Sequence, residues 1–223
     1  MLAGDRPRAT SGRDVIAGVI PCAGASRRMG RPKALLDAGG RSFLERIVSA
    51  HRDGGCDRVL VVIGPDGTPG VATVMRAGAE CVRNPDPSVG PISSMRAALE
   101  ALGASPDSAP SSGVAAVLWH PVDHPLVSAE AVEALIRAAR TFDPDDDRAP
   151  ALAVPRYRGG SGHPVLIGSA LFGELLAPTL EDGVRTVTRR HQERRTYRDV
   201  ECAGVTQDID TPGDYRAAFG RDP

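Results

Sequence analysis

The sequence predicts an α/β fold built on a mostly parallel sheet, and three observations carry that prediction. Apolar, β-branched runs alternate along the chain with segments of helical period. The run Val114-Ala115-Ala116-Val117-Leu118-Trp119 is almost continuously apolar, as strands covered on both faces of a parallel sheet are. Directly after the first apolar run, Val15–Ile20, comes a basic loop bounded by glycines, Gly24-Ala25-Ser26-Arg27-Arg28-Met29-Gly30-Arg31-Pro32-Lys33. Glycines free the backbone to converge N–H groups on an anion, and the arginines and lysine add fixed positive charge around the same point.

Taken in order, strands are expected at Val15–Ile20, Arg58–Ile63, Ala79–Arg83, Val114–Trp119, Ala151–Pro155, Pro164–Ile167 and Thr196–Val200. Between them, helical periodicity marks Phe43–Asp53, Thr68–Ala77, Ser93–Leu102, Ala129–Thr141 and Leu171–Leu176, and Pro212 suits the first turn of a last helix, Pro212–Phe219. Ser128 is placed to cap the helix that follows it, with Glu130 near its positive end. The segment from Tyr157 to Val165 reads as a hairpin or tight loop between two strands. Gly103–Gly113 and Asp143–Pro150 read as solvated loops. Asp145, Asp146 and Asp147 cannot all face one ion, so a linker is the better reading of that acidic run.

A length of 223 residues fits one α/β domain over 14–223, preceded by a loose polar tail over 1–13 that lacks the apolar core of a signal peptide. Apolar residues make up 41% and aromatics 4%, which gives an aliphatic core. With 27 basic and 28 acidic side chains no global field draws the chain to nucleic acid or a membrane surface. No apolar run has the length of a membrane span. The four cysteines are far apart with no C-x-x-C, which argues against a zinc knuckle or a disulfide framework and fits a reducing cytoplasm.

The basic loop fits neither familiar phosphate motif. Five residues separate Gly24 from Gly30 and no Lys-Ser/Thr follows at once, so the P-loop spacing fails; no G-x-G-x-x-G is present either. The run IPCAGASRRMGRPKALL, continuing to GGRSFLERIV, instead resembles the opening signature of the MobA/MocA-like nucleotidyltransferases, roughly L-A-A-G-x-S-x-R-M-G-x-P-K-x-L-L. Pro21 and Cys22 depart from that pattern, and Pro21 has no N–H to give to a base or a strand. Three later segments resemble the family's motifs in the expected order: the stretch from Asn84 to Met95, HPVDHP around Asp123, and Asp208-Ile209-Asp210-Thr211-Pro212.

The resemblance implies a three-layer α/β sandwich of the Rossmann-like nucleotidyltransferase type. It implies Mg²⁺-dependent transfer of a nucleoside monophosphate, CMP from CTP in the first instance, onto a phosphorylated acceptor of the molybdopterin type. Ala23, Gly24, Ala25, Ser26, Arg27 and Lys33 would bind the nucleotide, with Arg28 and Lys33 neutralising charge on the reacting phosphates. Asp123 and Asp210 would hold the metal. Asn84, Gly90 and Ser93 would line the nucleoside site, and His124, His163 and Arg185 the acceptor site. A molybdoenzyme or its insertion chaperone is the candidate protein partner of a monomer or small homo-oligomer.

By local chemistry alone each of these residues has a plainer reading. Asp123 or Asp210 could cap the helix after it, and Asn84 to Ser93 could be an ordinary turn and cap. His163 could be neutral packing and Arg185 a surface charge. Two alternatives stay open at this level: transfer from GTP, or to a sugar or polyol phosphate, and a nucleotide-binding module without turnover.

Overall fold

In the computed structural model, the described residues are 15–24, 27–65, 74, 76–105, 113–180 and 183–223, with the Arg27 side chain excepted. Ala25 and Ser26, and most of the helix expected at 68–77, lie outside them; Val74, Arg76 and Ala77 are helical.

Eight strands form one sheet: β1 Val15–Pro21, β2 Arg58–Ile63, β3 Glu80–Arg83, β4 Val114–Trp119, β5 Leu152–Tyr157, β6 Gly160–Ser161, β7 Val165–Gly168 and β8 Arg195–Asp199. The pairings β3-β2-β1-β4 are parallel, β7 runs antiparallel beside β4, and β5 returns antiparallel to β7 and carries β8 parallel beside it. The sheet is therefore mixed and mostly parallel. The helices are α1 Phe43–Asp53, α2 Pro91–Ala101, α3 Ala129–Ala139, α4 Phe172–Leu176, α5 Val184–Arg190 and α6 Pro212–Phe219.

Strand alternation divides the core into two layers. Ile16, Ala116 and Leu118 pack with Val132 and Leu135 of α3, and Ile20, Val59 and Val61 pack with Leu44 and Ile47 of α1. Their neighbours Ala17, Val19, Leu60, Val62 and Val117 point the other way, onto Ile92, Met95 and Leu99 of α2 and onto Phe172 and Val187. Both faces of β1, β2 and β4 are thus dry, which is why their sequences are apolar without a break. The result is three layers, helices on each side of the sheet.

Tyr157 to Val165 is an antiparallel hairpin. β5 pairs with β6 at Arg156↔Ser161 and with β7 at Ala153↔Leu166, and the register slips by two residues between them. Gly162 lies in that slip, where a Cβ would sit 1.7 Å from the Val205 carbonyl oxygen. A Gly162→Ala variant is therefore expected to lose about 2 kcal/mol or more, since backbone rather than a pliable side chain must give way. Thermal unfolding measures it, and an unchanged midpoint would mean that the hairpin packs elsewhere.

A fourth cluster ties the C-terminus to the basic loop. Met29, Leu36 and Phe43 pack with Ile209 and Tyr215, the Phe43 and Tyr215 rings stack at 6.1 Å, and the Tyr215 hydroxyl donates to the Asp37 carbonyl. Thr211 caps α6 in a reciprocal box with Asp214, so Asp210 is released from the capping role local sequence allowed it.

Candidate active site

The site lies at the carboxyl ends of β1, β2 and β4, the expected binding edge of an open parallel sheet. β1 ends at Pro21, the Cys22 N–H donates to the Val62 carbonyl at 2.7 Å, and the His120 N–H donates to the Val19 carbonyl at 2.9 Å. The two turns leaving β1 and β4 are thereby held side by side. Cys22 is buried and burial pushes its thiol up to about 12, so it serves as packing and stays protonated.

Residues far apart in sequence converge here. Lys33, itself 8% exposed, donates a hydrogen bond to the Asp210 carboxylate, and its Nζ lies 3.8 Å from Oδ2 of Asp123. Arg28 pairs with the other oxygen of Asp210 at 2.9 Å. The hydrogen bond from Lys33, joined by the charges of Lys33 and Arg28, holds the Asp210 carboxyl below the ordinary carboxylate range and keeps it ionised. Oδ1 of Asp123 is buried with no hydrogen-bond partner among the described residues, and Nε2 of His124 stands 3.8 Å from it. An orphaned carboxylate oxygen beside a second carboxylate is a donor set that suits a hard divalent cation. Among the described residues no third His, Cys, Asp or Glu joins them.

Asp123 sits where two lobes of the cleft meet. The smaller, about 450 Å³, holds Arg28, Lys33 and Asp210; the larger, about 1050 Å³, runs from Gly90 past His124 and His163 to Arg185. Pro21, Gly24, Pro91 and Asp123 are common to both. Burial pushes His163 down to about 4, so its ring is neutral. The His163 and His124 rings stand 4.9 Å apart, and Nδ1 of each is buried without a hydrogen-bond partner among the described residues.

Asn84 and Ser93 do not face this cleft. Asn84 is 1% exposed: its amide donates to Ser93 Oγ at 2.8 Å and Ser94 Oγ at 3.1 Å, and its Oδ1 accepts from the Asp86 N–H. The amide is spent inside the loop, which it shapes. The first turn of α2 carries fewer open N–H groups than a regular helix start. Pro91 has none, and the Ser93 N–H donates to Gly90. Gly90 does line the cleft, at φ 95°, a conformation that favours glycine.

Sequence reasoning missed two arginines. Arg189 on α5 and Arg195 at the start of β8 join Arg185 on one wall of the large lobe. The helix that presents Arg185 and Arg189 is short and rich in β-branched residues (Val184-Arg185-Thr186-Val187-Thr188), which hides it from periodicity; the basic run Arg189-Arg190 was the available signal.

A profile of the MobA-like NTP transferase domain matches residues 18–195, which span every strand from β1 to the start of β8. The chain belongs to that family. Its curated relatives include nicotine blue oxidoreductase of Paenarthrobacter nicotinovorans, 29% identical over 201 residues, 88% of this chain and 92% of that one. Among solved structures, Rv0371c of Mycobacterium tuberculosis H37Rv superposes with a TM-score of 0.70 at 25% identity, covering 95% of this chain and all of that one. A second structure of that protein, in complex with manganese, gives 0.64 at 24% identity, covering 92% of this chain and 98% of that one. The molybdopterin-guanine dinucleotide biosynthesis protein A of Archaeoglobus fulgidus shares the fold at a TM-score of 0.64 and 17% identity, covering 92% of this chain and 97% of that one. No helix among the described residues is long and apolar enough to cross a membrane.

Proposed function

We propose that this member of the family transfers a nucleoside monophosphate, CMP from CTP, onto a phosphorylated acceptor of the molybdopterin type and releases pyrophosphate. The observation that carries the reading is the convergence of Lys33, Arg28, Asp123 and Asp210 at the carboxyl ends of β1 and β4. An acceptor phosphate oxygen forms a bond to the α-phosphorus while the bond from that phosphorus to the bridging oxygen breaks, and the electron pair leaves with pyrophosphate. Such a step asks the protein for alignment and for charge, and hardly for covalent help. Lys33 and Arg28, in the small lobe, are placed to neutralise the triphosphate. Ala23 and Gly24 line the same cleft and would hold the phosphates, the motif assigns Ala25, Ser26 and Arg27 to the nucleotide with them, and Gly90 would flank the nucleoside.

Asp123 and Asp210 would hold Mg²⁺, which supplies charge neutralisation at the reacting phosphate. The manganese complex of Rv0371c supports a divalent ion in this frame. His124, His163 and Arg185 line the lobe on the far side of Asp123 and would receive the acceptor. Arg185→Ala is expected to raise KM for the acceptor roughly tenfold, about 1.4 kcal/mol for a charge-assisted contact, with KM for the nucleotide unchanged. Equal effects on both would remove Arg185 from the acceptor side.

The relative named nicotine blue oxidoreductase favours a second reading, oxidoreduction within the same frame. One assay separates the two: pyrophosphate release with Mg²⁺ and each NTP, with and without molybdopterin, beside consumption of reduced nicotinamide. Release with CTP and molybdopterin supports the proposal, release with GTP changes the base, and nicotinamide consumption without pyrophosphate overturns it.

A further inference from the structure

Behind the cleft, a line of buried polar side chains crosses from α1 to the turn that carries Asp123. His51 on α1 and His120 at the end of β4 are both fully buried, with Nε2 of His51 2.8 Å from Nδ1 of His120. Nε2 of His120 lies 2.9 Å from the His124 carbonyl oxygen, and Nδ1 of His51 lies 3.6 Å from the Cys56 sulfur. Gly18 on β1 makes room for this pair: a Cβ there would stand 2.1 Å from Nδ1 of His51.

The protons on this line have one arrangement. A carbonyl oxygen can only accept, so Nε2 of His120 carries its hydrogen. Burial pushes His51 down to about 3 and His120 well below its ordinary value, so both rings are neutral. Nδ1 of His120 then accepts, Nε2 of His51 donates to it, and Nδ1 of His51 accepts from the Cys56 thiol. That thiol keeps its proton because burial pushes it up to about 12. Every bond points towards the turn, and a buried polar chain so completely paired is stiff.

The turn passes that stiffness on. The Asp123 carbonyl accepts the Ile209 N–H at 2.8 Å, one residue before Asp210. We propose that Cys56, His51 and His120 are positioning residues that lock the His120–His124 turn and, through Ile209, set Asp123 and Asp210 in their mutual places. The functional consequence rests on the metal-holding reading of those carboxylates; the placement itself does not.

Two substitutions at His120 test it. His120→Gln keeps a donor for the His124 carbonyl and gives up the partner of His51, whereas His120→Asn keeps an acceptor for His51 and gives up the donor to the turn. In ¹⁵N spectra of the full chain, H120N is expected to shift the amides of Asp123, Ile209 and Asp210 strongly, and H120Q, which loses only the support of His51 and Cys56, to shift the same amides less. Titration with Mn²⁺ alone should show binding weakened roughly ten- to hundredfold in H120N and by a smaller factor in H120Q. Equal shifts in the two variants, or no shift in either, would overturn the proposal. If the unaltered protein binds no Mn²⁺, the metal reading falls, and the amide pattern still decides the placement. Should H120N not fold, His51→Leu against His51→Gln reads the same contrast one link further out.

Discussion

Lys33→Ala is expected to slow nucleotidyl transfer roughly 10²–10³-fold, the scale seen when one preorganised donor to a developing charge is removed. Lys33 is nearly buried between Asp210 and Asp123, so its ammonium stands at the junction of the two lobes before substrate arrives. The same variant removes the cation shared by two carboxylates and should therefore bind Mn²⁺ alone at least as tightly as the unaltered protein. Slower turnover with undiminished metal binding is the signature of a charge that acts on the phosphate. Lower metal affinity would instead make Lys33 a prop for the carboxylates, and an unchanged rate would remove it from the reaction.

Asp123→Asn is the second large effect. It should cost about 4 kcal/mol of transition-state stabilisation, a thousandfold in rate, through loss of a metal ligand. The fold should not suffer. Oδ1 of Asp123 has no partner to lose among the described residues, and the backbone carbonyl that accepts from Ile209 is untouched by the change. Steady-state kinetics with a Mg²⁺ titration, beside a thermal melt, gives both numbers. Full turnover in the variant would sink the metal assignment, and a collapsed melting point would show Asp123 to be structural.

How much of this was legible in the sequence differs from element to element. β1, β2 and β4 declared themselves because both faces are dry, and the hairpin at Tyr157 to Val165 because glycine and proline punctuate it. The start of α2 was misplaced by two residues because Gly90, at positive φ, ends the preceding turn and Pro91 opens the helix. α5 stayed hidden behind its threonines and valines. For the site, local chemistry left Asp123 and Asp210 undecided between cap and ligand, and the family motifs tipped the balance. The structure removes one of the two readings of Asp210, since Thr211 and Asp214 already cap α6. Asn84 proved to be tied to its neighbours: its amide pairs with Ser93 and Ser94 on α2 and with the Asp86 N–H. The pairing of His51 with His120, 69 positions apart, depends on the β1–β4 register and on the absence of a side chain at Gly18, neither of which a linear pattern displays.

The charges that meet at the junction of the two lobes, Arg28 and Lys33 against Asp123 and Asp210, nearly cancel one another before anything binds. A nucleotide triphosphate arriving alone would have to break those pairs and face two carboxylates, and a metal ion arriving alone would displace a lysine. Together the two ligands exchange partners without leaving a charge exposed. The junction therefore behaves as a logical AND: each ligand should tighten the other by the same factor, as linkage requires, and a factor of five to 150 is about what such coupling yields. Titrating a non-hydrolysable CTP analogue with and without Mn²⁺, and then Mn²⁺ with and without the analogue, would give that factor twice over. On this arithmetic, the resting salt bridges discriminate in favour of the metal–nucleotide complex over either of its parts.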